Sequence, residues 1–110
     1  MEYATNIWNQ KNATLSDKSA AKEYGLSRDD IYKAINAGEL QFRETSLYGN
    51  VWFRLIREEV ESLVAKKFGA AYLNEIKSKK ELSEINKELK TLYDRVAELE
   101  NRKKELLNKS

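Results

Sequence analysis

The chain contains no cysteine, no histidine and no proline, and only four glycines in 110 residues. Without cysteine there are no disulfides and no thiol nucleophile; without histidine the commonest general base and most zinc sites are also gone. All four glycines stand alone, so no Gly-rich phosphate loop exists. Glu58, Glu59 and Glu61 follow one another too closely on a helix to act as a catalytic pair. The sequence therefore predicts a non-enzyme, with no metal and no cofactor. The lack of proline leaves nothing to interrupt a long helix, since one inside it would cost about 3 kcal/mol. No apolar run approaches the roughly 18 residues of a membrane span, and no basic-then-apolar leader opens the chain. The expectation is a soluble intracellular protein without membrane contact. That means cytoplasmic and nucleoid-associated in a prokaryote or phage, and nuclear in a eukaryote.

What is present is charge: 35% of residues are charged against 41% hydrophobic, a wetter mixture than a compact globule needs. The excess points to a long solvated helix. Residues 14–69 carry nine Lys/Arg and nine Asp/Glu, whereas residues 70–110 carry ten and eight. A nucleic-acid module usually shows a clearer basic excess.

Along the chain, residues 1–13 have neither a helix nor a strand period and read as a mostly extended arm, with Tyr3, Ile7 and Trp8 available to dock. In "LSDKSAAKEYG", Ser16 N-caps a short helix whose Ala20, Ala21 and Tyr24 share a face, and Gly25 ends it. A second helix opens at "LSRDDI". Ser27 is its cap, Asp30 its capping-box partner, and Leu26 with Ile31 form a hydrophobic staple. "AG" at 37–38 stops it. Residues 40–55 alternate apolar and polar around "YGN", which predicts a β-hairpin with Gly49 and Asn50 at the tip. Of the adjacent Trp52 and Phe53, one must face the core. Ile56, Val60, Leu63, Val64 and Phe68 then return to a helix period, up to Gly69.

From Ala70 the chain is rich in Lys, Glu and Leu. With Leu82 at heptad position a, the a positions are Leu82, Leu89, Val96 and Lys103, and the d positions are Ile85, Leu92, Leu99 and Leu106. This seam predicts a dimerising coiled coil over residues 82–106, with Tyr72, Leu73 and Ile76 extending the apolar face backward. Its direction is left open. In a parallel pair Arg95 at g meets Glu100 at e.

Asp17 to Asn36 fits the helix-turn-helix pattern. Ala21 sits at the crossing, Gly25 in the turn and Leu26 behind it, while Ile31 and Ile35 anchor the second helix. The wider stretch resembles the excisionase/MerR-like winged helix-turn-helix. The residues that carry the resemblance are Leu15, Ser16, Ala20, Ala21, Gly25, Leu26, Ser27, Ile31, Tyr32, Ile35, Gly38, Glu39 and Leu40, then Phe53, Arg54, Arg57, Glu58, Glu59, Val60 and Leu63. "LYGNVWFRLIREEVESLVAKKFG" is also similar, more weakly, to the DNA-binding domain of xeroderma pigmentosum group A repair proteins. Two features depart from the first family: the second helix opens Arg28-Asp29-Asp30, and the hairpin tip has no positive charge.

The implied fold class is mainly α with a small β-hairpin, a winged helix-turn-helix over residues 14–69 followed by a long coiled-coil helix over 70–110. The implied function is duplex DNA binding as a dimer, as a transcriptional regulator or an excisionase-type architectural factor. In that reading Ser27, Arg28, Asp29, Tyr32 and Lys33 face the major groove. Lys18, Lys22, Arg43 and Arg54 hold the backbone, and Tyr48 to Asn50 reach the minor groove. The alternative is a protein-interaction adaptor that keeps the fold and works through its coiled coil. The discriminating property is whether Lys18, Lys22, Arg28, Lys33, Arg43 and Arg54 gather on one face.

Overall fold

The computed structural model describes residues 7–109. The chain is mainly helical, with one small antiparallel sheet and one long C-terminal helix. Its elements are β1 (Thr14–Ser16), α1 (Asp17–Tyr24), α2 (Arg28–Asn36), β2 (Phe42–Leu47), β3 (Asn50–Ile56), α3 (Arg57–Phe68) and α4 (Ala70–Asn108). Packing divides it into a first unit ending at Ile76 and a second beginning at Lys77. The first unit thus runs past Gly69, because Tyr72, Leu73 and Ile76 on the opening turns of α4 pack against its core. Among the described residues no helix is long and apolar enough to cross a membrane.

In the first unit the helix ends follow their local chemistry. The Ser16 hydroxyl accepts the Ser19 amide at 3.0 Å and starts α1. Gly25, at φ 72°, ends it by donating its N–H to the Ala21 carbonyl at 3.0 Å. Ser27 and Asp30 complete the reciprocal capping box of α2, at 3.0 and 3.2 Å. At the other end Gly38, at φ 78°, donates to Ile35 and Glu39 donates to Ala34, a Schellman closure.

The sheet order is β1–β3–β2, so a third strand joins the expected hairpin. Its local pattern was masked because Thr14–Ser16 is only three residues long and Ser16 also serves as a helix cap. The hairpin loop is Tyr48-Gly49, not Gly49-Asn50: Leu47 pairs with Asn50, and both loop residues have positive φ, 51° and 83°. A two-residue loop of that kind matches the twist of its strands, with glycine taking the second left-handed position without a Cβ penalty.

The core gathers Leu15, Ala20, Tyr24, Leu26, Ile31, Ala34, Leu40, Leu55, Val60 and Val64. Phe53 is the core-facing aromatic of the Trp52–Phe53 pair. Trp8 is buried and Ile7 half-buried, so the arm docks through them. Tyr3 lies outside the described residues. The acidic residues of α3 serve the fold: Glu59 accepts both the backbone and the side-chain N–H of Gln41 at 2.8 Å, and Glu61 accepts the Tyr24 hydroxyl at 2.8 Å.

Gly25 does a second task. A Cβ there would lie 2.7 Å from the Tyr72 hydroxyl, which donates to the Tyr24 carbonyl at 3.1 Å. Gly25→Ala should therefore cost the ~1–2 kcal/mol of a left-handed non-glycine residue plus the displacement of Tyr72. Gly38→Ala meets nothing within 4 Å and should cost the first term alone. Urea denaturation of both, and of Gly25→Ala on a Tyr72→Phe background, checks this. Equal losses at the two glycines would refute the steric part.

Candidate nucleic-acid interface

The capping box fixes where α2 begins and hence which residues its first turn presents. Arg28 and Tyr32, one turn apart on α2, face β3, the central strand of the sheet. There Tyr32 meets Phe53 edge-on, with ring centroids 6.0 Å apart, and Phe53 in turn meets Phe42 at 5.3 Å. Arg28 and Tyr32 line a cleft of about 740 Å³ together with Lys18 from α1 and Asn50 from β3; its remaining walls are Ser16, Asp17, Val51, Trp52 and Phe53. Four of the sequence-predicted contacts thus share one concavity. Lys22 is exposed one turn beyond Lys18 on α1 but does not line it. Tyr48 stands at the hairpin tip, 95% exposed.

The remaining predicted contacts are otherwise engaged. The Ser27 hydroxyl is committed to the cap. Asp29 and Lys33 pair at 3.0 Å across one turn, and that hydrogen bond and charge hold the Lys33 pKa above its ordinary value. Arg43 and Arg54 do not join the cleft. They lie directly opposite each other in the β2–β3 ladder, on the side of the sheet away from Phe53. Arg54 donates to the Thr14 hydroxyl at 2.9 Å and to the Trp8 carbonyl at 2.7 Å. The Arg43 guanidinium sits 4.5 Å over the Trp8 ring. Both cations hold the N-terminal segment against the sheet, so the six cations do not gather on one face.

Asp17 is the cleft residue that sequence reasoning missed. It is buried, 5% exposed, and its carboxylate accepts the Phe53 backbone N–H at 3.4 Å. It takes up a donor of β3 just past the end of the β1 pairing, which stops at Ser16 and Arg54. The only signal was an acid at the first position of a capped helix, and its burial depends on a strand the sequence did not announce.

Asp30, the cap partner, also pairs with Lys67 of α3. Lys67, then the Ser27 hydroxyl and amide, hold its carboxyl down at about 2. No protein-family model, curated protein or solved structure matches the chain.

Because the folded-state pKa of Asp30 is lowered, its ionised form stabilises the fold above the ordinary carboxylate pKa. That contribution disappears as pH falls from about 4 toward about 2. Asp30→Asn should therefore lower the thermal midpoint at pH 7 but match the parent chain near pH 2. A calorimetric pH series on both proteins checks it, and a gap that persists unchanged at pH 2 would contradict the assignment.

Proposed function

We propose that the chain binds duplex DNA as a homodimer. In this reading the first unit is a winged helix-turn-helix, α2 the helix that enters the major groove, the β2–β3 hairpin the wing, and the protein a transcriptional regulator or excisionase-type architectural factor. The observation that carries the proposal is the cleft where Lys18, Arg28, Tyr32 and Asn50 come together beside the N-terminus of α2. The element order supports it, since a short first strand pairs with the second strand of the hairpin and brackets α1 and α2.

The division of labour follows from which side chains are uncommitted. Arg28 is the candidate for bidentate reading of guanine, and Tyr32 offers an aromatic face and a hydroxyl. Lys18 and Lys22, one turn apart on α1, supply phosphate contacts, with Tyr48 and Asn50 at the hairpin end for the minor groove. Asp29 and Lys33 neutralise each other in the free protein, so either must leave its partner to touch DNA. Dimerisation is assigned to Leu82, Ile85, Leu89, Leu92, Val96, Leu99 and Leu106, all of them exposed in the single chain.

A specific observation favours a second reading, a protein-interaction adaptor working through its coiled coil. Arg43 and Arg54 hold Trp8 and its backbone instead of a free surface, and residues 14–69 have no net charge.

The test is fluorescence anisotropy of a labelled random-sequence duplex at 50 and 200 mM salt. Two phosphate contacts per domain, four in the dimer, predict affinity falling about 150-fold over that fourfold change in salt. Lys18→Ala and Arg28→Ala should each weaken binding, whereas Arg28→Ala should leave the thermal midpoint in place. No binding at 50 mM salt would overturn the DNA reading and favour the adaptor.

A further inference from the structure

The cleft beside α2 holds a group that duplex recognition leaves idle, the carboxylate of Asp17. The residue is 5% exposed. One of its oxygens accepts the Phe53 N–H at 3.4 Å, longer than the roughly 2.7–3.2 Å of a good amide hydrogen bond. An ionised carboxylate has about four acceptor positions on its two oxygens. No other donor among the described residues reaches Asp17, yet none of their buried side-chain oxygens or nitrogens lacks a partner. The second oxygen therefore stays open to the cleft that Asp17 helps to line.

We infer that this cleft binds a free guanine nucleotide, with the base against Asp17 and the phosphate against Lys18 and Arg28. A buried charge is costly unless donors answer it, so the Asp17 end favours a ligand that brings donors. Guanine offers two side by side, N1–H and N2–H, and a carboxylate accepts both with its pair of oxygens. Adenine and cytosine each set a ring acceptor beside their amino group, which would meet the carboxylate lone pair to lone pair. In a duplex the guanine N1–H is taken up by its cytosine. The ligand is therefore an unpaired base, and the inference does not require that the chain bind duplex DNA.

The rest of the cleft suits the rest of a nucleotide. Lys18 and Arg28 line it and are exposed, as befits a phosphate that keeps part of its water. Tyr32 and Val51, 39% and 58% exposed, offer apolar surface to a planar base. The volume of about 740 Å³ lies within the roughly 300–1,000 Å³ of small-molecule sites. The site is also pre-formed. The Ser16 cap fixes the first turn of α1, which carries Asp17 and Lys18, and the Ser27–Asp30 box fixes that of α2, which carries Arg28. Where the duplex reading holds, nucleotide and duplex share Lys18 and Arg28 and exclude each other.

Amide chemical-shift titration of the full chain, with no DNA present, tests this with guanosine monophosphate, adenosine monophosphate and inorganic phosphate. The guanine nucleotide should bind with a dissociation constant below about 1 mM and about tenfold more tightly than the adenine nucleotide. Its shifts should centre on Ser16 to Lys18 and Arg28 to Tyr32. Lys18→Ala and Arg28→Ala should each weaken both nucleotides about tenfold and leave their ratio unchanged. Asp17→Asn keeps the shape and an acceptor for Phe53, and should bring the guanine nucleotide down to the adenine level. Should that variant unfold, the two alanine variants and the ratio in the parent chain still decide. Equal affinity for the two nucleotides, inorganic phosphate binding as tightly as either, or shifts centred outside the cleft would overturn the inference. A spectrum unchanged by the guanine nucleotide at about 1 mM would do the same, whatever the chain does with duplex DNA.

Discussion

The first unit is organised around the hydroxyl of Tyr24. It donates to Glu61 at 2.8 Å and accepts from the Arg57 guanidinium at 2.9 Å, while the ring is buried in the core. Arg57 also binds Glu23 at 2.7 Å and the Asn12 carbonyl at 2.9 Å, and its backbone N–H donates to Ala13 at 2.8 Å. One phenol and one guanidinium thus join α1, α3 and the segment before β1. Burial and then the Glu61 hydrogen bond push the Tyr24 pKa up, so the phenol stays a neutral donor. Burial pulls the Arg57 pKa down, but Tyr24 and Glu23 more than offset it and leave it raised. Such a network is stabilising because each member is satisfied; removing one would strand the others in low dielectric. Arg57 stands at the β3–α3 junction, directly after the last strand residue Ile56.

The sheet sorts the cations. Alternation along β3 sends Phe53 and Leu55 to one side and Arg54 to the other, and pairing places Arg43 beside Arg54. A buried Trp8 needs something over its ring and a partner for its carbonyl; these two guanidiniums supply both. The charges left near α2 are Lys18, Lys22 and Arg28, with Asp17 buried among them. Any anionic ligand of this face meets a small basic edge, not a broad basic field. Contacts of shape and stacking from Tyr32 and the hairpin would have to carry more of the recognition than phosphate attraction alone.

What the sequence made legible was whatever depends on near neighbours. The two caps, Ser16 and Ser27, the Asp30 partner, the left-handed Gly25 and the staple of Leu26 and Ile31 are all set within one turn of chain. The long uninterrupted helix α4 was legible for the same reason. The cleft was legible only in part: Arg28, Tyr32 and Lys18 follow from helical phase once the caps are fixed. The roles of Arg43, Arg54 and Asp17 depend on β1 and Trp8, which lie about 40 residues from β3 in sequence and are specified by no local period. The hairpin tip slipped by one residue because "YGN" offers two left-handed pairs, Tyr-Gly and Gly-Asn. The choice between them is made by the register of Phe42 opposite Leu55, not by the turn itself.

The two units also differ in what holds them. The first has a core of its own and a satisfied polar network. The second is a helix segment whose apolar residues are exposed in the single chain. Helices in water draw most of their stability from packing an apolar face, and propensity with surface ion pairs such as Arg95–Glu98 adds only tenths of a kcal/mol each. If the stripe is covered as proposed, the order of that segment is coupled by mass action to the occupant.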